Sequence, residues 1–301
     1  MLAVPTAAAA GTTDLNEAGT VAIDRDAGEL LLRGEVVLER GPLEMLVCRV
    51  GTKEHESIVA VDTPAVTVHA GLLALGLEPG SAVDFTDGFR PPAGPKLDIE
   101  MRWTAADGTA KTADAKSWVR RSIDRYFGQP LKTLPAGVVI PKGSELRHDP
   151  RYGELSWYGP MTDAERDGLL ALSDDAAFRA AITQFYEQTR EVALDAAWVF
   201  AGSRFFHDPA TGRRLYGAEG GELICVANFP SATIDIAERS TAENAGRVYE
   251  AWTGRVPPPG TAVTVVIKDP QKRPQHRRPA VRPIIGRPHP HLPPTAPLNP
   301  T

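Results

Sequence analysis

The sequence predicts an α+β fold, in which helices pack on an antiparallel or mixed sheet, followed by a disordered proline-rich C-terminal tail. Apolar segments typical of strands occur both near the start of the chain and in its last structured third. A capped amphipathic helix follows the third predicted strand. A hydrophobic content of 42% and a charged content of 24% are those of a globular protein, and 301 residues suffice for one large domain.

The first predicted strands are Glu29–Glu39, Leu43–Val50 and Ser57–Asp62. Residues 58–61 are apolar without alternation, which predicts a strand covered on both faces. The next segment, Thr63–Gly76, predicts a helix with Thr63 as its N-cap and a left-handed glycine at its end. Its apolar stripe consists of Ala65, Val68, Leu72 and Leu75.

The remaining elements follow from periodicity and turn chemistry. Residues 125–193 read as an irregular and helical insertion, in which the capping box Thr162–Glu165 and then Ser173 begin two helices. A short helix is predicted at Ala115–Ile123. Further strands are predicted at Ala82–Phe85, Leu97–Thr104, Ala197–Phe206, Arg214–Ala218, Leu223–Asn228 and Ala262–Lys268.

The chain therefore divides into a leader (1–19), an α+β domain (20–268) and a basic tail (269–301). The leader contains small residues around Ala7–Ala10 that suit signal-peptide cleavage, but it lacks a basic start. It reads as disordered or as the remnant of a signal peptide. This favours an extracytoplasmic protein, periplasmic or secreted; if the N-terminus is correct as given, the protein is cytoplasmic. No segment is apolar enough to predict a transmembrane helix.

The charge is distributed unevenly. The chain has a formal charge of −5, yet residues 268–301 contain seven Lys/Arg and one acid, a balance of +6 that leaves −11 on the rest. An acidic body argues against nucleic-acid binding through the core. The tail has ten prolines in its last 32 residues, so it predicts disorder, and its charge suits an acidic envelope polymer as partner.

The candidate site begins in the polar run Lys53–Ser57. His55 and Ser57 are two apart, and in a strand such side chains stand about 6–7 Å apart, too far for a nucleophile–base pair. Glu56 enters a strand that is apolar on both faces, so it needs a partner or a shifted pKa. We interpret Lys53, His55 and Glu56 either as structural ion pairs or as part of a site.

Two further candidates lie elsewhere in the chain. His69 is in the predicted helix, where it is either a half-buried structural histidine or a ligand or base. Arg204 lies among phenylalanines, and Gly202–Ser203 interrupts that strand, which predicts a bulge or a close backbone approach. An arginine there suits an anion, although an aromatic core strand explains the segment equally.

Cofactor and metal chemistry has no support in the sequence. There is no P-loop, no glycine-rich dinucleotide motif after a strand and no C-x-x-C, so we predict no cofactor and no metal centre. Cys48 and Cys225 both lie in apolar runs. They are either buried thiols or, in an exported chain, a disulfide.

Several segments together resemble the YdjY-type domain family, a bacterial domain of unknown function. They are LEMLVCRVGTKEHESIVAVD, VHAGLLALGLEPG, WVFAGSRFF, GELICVANFPSATIDI and PPPGTAVTVVIK, in the same order. The resemblance runs from Glu29 to Lys268 and implies an exported bacterial protein. Some related chains carry iron–sulfur modules, but this chain lacks the cysteines for a cluster. The family provides no catalytic residues to carry over.

Two functions are therefore expected. The first is a non-catalytic extracytoplasmic binding or interaction domain. The alternative is a hydrolase with a pocket formed by His55, Glu56, His69 and Arg204. Whether the protein is an enzyme stays open at this stage.

Overall fold

The computed structural model describes residues 11–240 and 249–271. Its helices are α1 (Ala65–Ala74), α2 (Asp163–Leu170) and α3 (Ala176–Gln188). Its strands are β1 (Thr12–Asp14), β2 (Val21–Asp24), β3 (Glu29–Val36), β4 (Gly41–Leu43), β5 (Met45–Arg49), β6 (Ser57–Val61), β7 (Lys96–Thr104), β8 (Ala110–Asp114), β9 (Val119–Arg121), β10 (Tyr126–Pro130), β11 (Arg147–Asp149), β12 (Glu154–Tyr158), β13 (Trp198–Phe200), β14 (Phe205–His207), β15 (Arg214–Tyr216), β16 (Ile224–Cys225), β17 (Ile234–Ile236), β18 (Tyr249–Ala251) and β19 (Ala262–Lys268).

Eight of these strands form a closed barrel. The order around it is β3-β19-β7-β13-β17-β16-β5-β6, and β6 pairs again with β3 through Glu35↔Ala60 and Val36↔Val59. Most neighbours are antiparallel, but β5–β6 and β16–β17 are parallel. Strands β1 and β2 extend the sheet beyond β3, and β8 pairs with β7.

The predicted α+β fold is therefore wrong. Strand residues outnumber helical residues among the described residues, since the short α-helices and 3-10 turns together make up 17%. The apolar strands were expected to need helices as cover, but a sheet that curls on itself buries one face against its own opposite wall. Composition and periodicity do not report this closure, because a barrel strand and an open-sheet strand have the same alternation.

The core fills the barrel. Inward side chains alternate along the long strands, and the buried side of α1 joins the same cluster. Its members include Leu30, Leu32, Leu97, Ile99, Met101, Trp198, Phe200, Ile234, Ile236, Val263, Val265 and Ile267, together with Ala65, Val68 and Leu72 from α1. Helix α1 and its apolar stripe are thus confirmed, but its N-cap is Pro64 rather than the predicted Thr63, so the helix begins one residue later than expected.

The N-terminus of α1 is capped from elsewhere in the chain. Pro64 occupies the N-cap position, and no N-cap side chain binds the free amides. Instead, the Glu219 carboxylate accepts hydrogen bonds from the amides of Ala65 (3.1 Å) and Val66 (3.0 Å) and pairs with Arg49 at 2.8 Å. The capping box that starts α2 is confirmed, whereas α3 is capped by Asp175 rather than by the predicted Ser173.

Residues within 125–193 form a second packed unit rather than an irregular one. Strands β10, β12 and β11 make a three-stranded antiparallel sheet, and α2 and α3 pack on it around a separate core. That core includes Phe127, Leu155, Trp157, Phe178, Ile182 and Phe185. The helices are as predicted, but the strands contain tyrosines, glycine and charged residues and were not recognised.

Three local predictions also differ from the structure. Thr12–Asp14 forms β1 on the edge of the sheet, although 1–19 was expected to be disordered. Residues 82–85 make isolated bridges instead of a strand. The predicted helix 115–123 is a single 3-10 turn followed by β9. Residues 1–10, and the tail from 272 onward, lie outside the described residues.

Candidate functional site

The predicted Lys53 and Glu56 lie in a cluster of one lysine and three carboxylates. Lys53 Nζ is 3.1 Å from Glu56 Oε1, 3.2 Å from Glu44 Oε2 and 3.8 Å from Glu222 Oε1. The ammonium also lies 4.9 Å from the centre of the Phe229 ring. Glu44 and Glu222 were not predicted, because each reads as an ordinary charged residue beside an apolar run. We call these four charged side chains the Lys53 cluster.

Proximity changes the protonation of this cluster. Burial raises the pKa of Glu44, and a hydrogen bond to the Glu56 carboxyl raises it further, against the effect of Lys53. Burial lowers the pKa of Lys53, but hydrogen bonds to Glu56 and Glu44 outweigh it, so that pKa lies above its usual value. The cluster therefore pairs a charged lysine with a carboxyl group, that of Glu44, which binds a proton more readily than an exposed glutamate does.

The cluster lies where two chain crossovers meet. Residues 50–56 connect the parallel pair β5–β6, and residues 226–233 connect the parallel pair β16–β17. Lys53 is on the first crossover and Phe229 on the second. Parallel neighbours usually need a longer connection. Ser57 Oγ donates to the Lys53 carbonyl at 2.6 Å and ties the first crossover to the start of β6.

A buried aspartate organises the second crossover. Asp235 accepts hydrogen bonds from the amide of Ile236 (2.8 Å), from Asn228 Nδ2 (3.2 Å) and from the amide of Phe229 (3.3 Å). Burial nevertheless raises the pKa of Asp235 to about 7, because these donors offset only part of the cost of burying its charge. The sequence did not predict this burial, because an aspartate in the apolar run TIDI is equally consistent with a strand residue whose side chain is exposed.

His55 lies beside the Lys53 cluster but points outward. Its side chain is 76% exposed, and its Nε2 is 3.7 Å from Glu56 Oε2. It lines an open cavity of about 570 Å³ together with Glu35, Glu54 and Gly260. His55 and Glu56 are thus neighbours at the surface, on a 3-10 turn rather than on the strand expected from the sequence.

His69 belongs to a different set of contacts. Its Nδ1 lies 2.9 Å from Tyr216 Oη, and Tyr216 Oη lies 3.0 Å from Thr233 Oγ1. Burial lowers the pKa of His69, opposed by a hydrogen bond to the backbone of Gly202. Burial raises the pKa of Tyr216 to about 12. A neutral histidine and a neutral tyrosine therefore form a short polar chain at the edge of the core.

Arg204 follows the predicted break in the chain. Gly202 and Ser203 both have positive φ, and no other non-glycine described residue does. A Cβ at Gly202 would lie 2.4 Å from Pro79, so the close approach predicted there is confirmed. Arg204 donates to the Val83 carbonyl at 3.1 Å and lies 4.0 Å from Asp84, while its side chain remains 51% exposed.

The two cysteines are separate buried thiols. Cys48 and Cys225 are both free, so the structure has no disulfide between them. Cys225 lies opposite Met45 in the β16–β5 pair, three residues from Cys48 along β5. Burial raises the pKa of both thiols, which makes them poor nucleophiles. Among the described residues, no group of His, Cys, Asp and Glu has an arrangement that could hold a metal ion.

A groove on the outer wall of the barrel is lined by cations. Its volume is about 920 Å³, and it lies over β3, β19, β7 and β8 beside the loop 254–258. Four cations line it, and none of its described lining residues is acidic. The cations are Arg33, Arg102, Lys111 and Arg255. We call it the cationic groove. It could not be predicted from the sequence, because its cations lie in separate segments of the chain.

The cations differ in how they are held. Arg102 makes a bidentate pair with Glu29, at 3.0 Å for both bonds, and Arg33 pairs with Asp14 at 3.0 Å. Lys111 and Arg255 have no carboxylate at ion-pair distance within residues 11–240 and 249–271. The Arg255 guanidinium instead stacks on Trp252, 3.3 Å from the ring centre. These two side chains can accept an anionic partner without giving up an existing pair.

Comparison with known families supports the resemblance seen in the sequence. Residues 21–129 match the model of the YdjY domain. Over these residues the chain is similar to that domain. No curated protein and no solved structure matches the chain significantly.

The match covers only part of the barrel. The matched residues provide β3, β5, β6 and β7, whereas β13, β16, β17 and β19 lie beyond residue 129. The three later segments on which the resemblance partly rested are also outside the match. The barrel is therefore completed by strands within residues 198–268, without which the ring of strands cannot close. Within the described residues, no helix has the length and apolar character to cross a membrane.

Proposed function

We propose that this protein is a non-catalytic binding domain whose cationic groove takes an anionic, extended ligand such as an acidic oligosaccharide. The observation that carries the proposal is a groove lined by four cations and no described acid, on a chain with a net charge of −5. Because the lining carries cations and no described acid, the groove attracts an anion although the chain as a whole has a negative net charge.

The size and lining of the groove fit such a ligand. About 920 Å³ lies within the range of small-molecule sites. Pro257, Pro258 and the edge of Trp103 provide apolar surface, and backbone and threonine groups of β8 and β19 provide hydrogen-bond partners. An oligosaccharide with carboxylate groups presents the same combination of apolar ring faces, hydroxyls and negative charge.

The polar residues first suspected of catalysis support a binding rather than a catalytic role. In the Lys53 cluster the charged groups contact one another across two crossovers, which is the arrangement of a structural network. The alternative hydrolase requires His55, Glu56, His69 and Arg204 to converge. Instead His55 contacts Glu56, His69 contacts Tyr216, and Arg204 contacts Val83 and Asp84.

We further propose an extracytoplasmic location, periplasmic or secreted. The support is the small-residue segment around Ala7–Ala10, which suits signal-peptide cleavage. Acidic polymers of the cell envelope would then be available as ligands.

The test is calorimetric titration with a galacturonic acid oligomer, with a neutral malto-oligosaccharide as comparison. We expect the acidic oligomer to bind and the neutral one not to bind. Lys111→Glu/Arg255→Glu should weaken binding at least about tenfold, because it replaces attraction by repulsion at both unpaired cations.

The matched control is Lys132→Glu/Lys142→Glu, which makes the same change in net charge at exposed lysines that do not line the groove. Its affinity should stay within about twofold of the unmodified chain. Equal weakening by both pairs would mean that net charge alone drives binding and would refute the groove as the site. Steady turnover of the oligomer would refute the non-catalytic assignment.

A further inference from the structure

The β14–β15 hairpin stands apart from the barrel sheet. Its strands pair with each other through Phe205↔Tyr216, Phe206↔Leu215 and His207↔Arg214, and with no other described strand. Every residue of β14 is exposed. Tyr216 is the buried residue of β15, and its ring contacts His69 at 5.3 Å between ring centres. The hairpin is thus fixed at one end and projects from the body.

One face of the hairpin presents apolar side chains to solvent. Side chains alternate along a strand. Phe205 and Tyr216 therefore pack together on one face of the hairpin, and Phe206 and Leu215 lie on the other face. Phe206 is 50% exposed and Leu215 is 36% exposed. The exposed parts of these two side chains would lower the free energy of a complex that removed them from water.

Cations lie on both faces of the hairpin. Alternation places Arg213 on the face of the apolar pair, whereas Arg214 lies over the Phe205 ring, 4.1 Å from its centre, on the other face. Arg204, Arg213 and Arg214 are all exposed. Asp208 is the acid of this segment, and it is engaged in the turn, where it accepts hydrogen bonds from the Ala210 amide (2.9 Å) and the Thr211 hydroxyl (2.5 Å). The hairpin is therefore positive, on a body whose remaining charge is strongly negative.

We propose that the β14–β15 hairpin docks on an anionic phospholipid surface. The arginines bind lipid phosphates, to which the planar guanidinium offers paired donors. Phe206 and Leu215 enter the interfacial region between head groups and acyl chains. The same surface attracts the arginines of the hairpin and repels the carboxylates of the body.

A lipid surface fits the hairpin better than a peptide does. Each strand has three residues, so a peptide added at either edge would gain few main-chain hydrogen bonds. The apolar pair also projects from a convex element, whereas peptide recognition by side chains uses pockets or grooves. A fluid lipid interface needs neither a long edge nor a pocket.

The test measures sedimentation of the full chain with vesicles of phosphatidylcholine alone or with about one-third phosphatidylglycerol. We expect binding to the anionic vesicles and not to the neutral ones. Phe206→Ser/Leu215→Ser and Arg213→Glu/Arg214→Glu should each weaken binding at least about tenfold, because each removes one of the two contributions.

Matched controls separate the hairpin from general surface effects. Tyr126→Ser/Tyr152→Ser removes two tyrosines that are 72% and 80% exposed, and Lys132→Glu/Lys142→Glu makes the same charge change as the arginine pair. Both should bind as the unmodified chain does. Hydrogen exchange on the unmodified chain provides a second measurement, with vesicle-dependent protection expected at 205–215. Unchanged binding of the hairpin variants, or protection of 205–207 by polyglutamate without lipid, would overturn the proposal.

Discussion

In this protein, individual buried charged residues stabilise the fold although burying their charge costs free energy. Lys53 and Asp235 each sit among polar partners beneath the surface, and each holds a crossover between parallel strands. Asp235 has the clearest cost, because burial raises its pKa to about 7 in spite of three hydrogen-bond donors. A raised pKa means that the folded protein binds a proton more tightly than the unfolded chain does.

This shift predicts a pH dependence of stability. The contribution of Asp235 is fully present below about pH 4 and is lost as pH rises to about 7, which amounts to up to about 4 kcal/mol. Asp235→Asn cannot ionise, so its free energy of unfolding should fall less over this interval than that of the unmodified chain. Urea unfolding at several pH values measures the difference.

A suitable control is Asp174→Asn, since the Asp174 side chain is fully exposed. It should preserve the pH slope of the unmodified chain. Identical slopes for Asp235→Asn and the unmodified chain would show that Asp235 is ionised in the folded state throughout.

At the scale of elements, the closure of the barrel depends on one glycine. A Cβ at Gly34 would lie 2.4 Å from the carbonyl oxygen of Ala60, across the β3–β6 pair that closes the ring. A Cβ atom and a carbonyl oxygen do not approach to that distance in real structures. The Ala60 carbonyl belongs to the backbone, so it cannot move aside as a flexible side chain would. Gly34 therefore allows β3 and β6 to approach closely enough to pair.

The consequence is a pair of substitutions with opposite effects. Gly34→Ala should lower the free energy of unfolding by about 2 kcal/mol or more, because it overpacks the closure. Gly168→Ala, inside α2 with open space around the added methyl group, should raise it by about 0.5–1 kcal/mol. Denaturant unfolding of both variants is the measurement, and a neutral Gly34→Ala would contradict the closure at β3–β6.

The elements also show what the sequence can reveal. Helix α1 and the break at Gly202–Ser203 follow local rules and were predicted correctly. The closed barrel was missed because closure joins β3 to β6 and β19, which local periodicity does not relate. The contacts of Glu222 and Glu44 with Lys53 were missed for the same reason. Glu222 is far from Lys53 in sequence, and Glu44 precedes β5 whereas Lys53 follows it.

At the scale of the whole molecule, the barrel and the cationic groove are both built from early and late segments of the chain. The groove takes Arg33, Arg102 and Lys111 from within the residues that match the YdjY domain, and Arg255 from the part that completes the barrel. The proposed ligand site therefore exists only when residues 249–268 pair with the matched segment.

The most direct test of this account is hydrogen exchange of the full chain with and without the galacturonic acid oligomer. The account predicts slower exchange at 102–112 and 254–264 together, and unchanged exchange at 126–158. Protection confined to other parts of the chain, or none at saturating oligomer, would contradict the groove as the binding site.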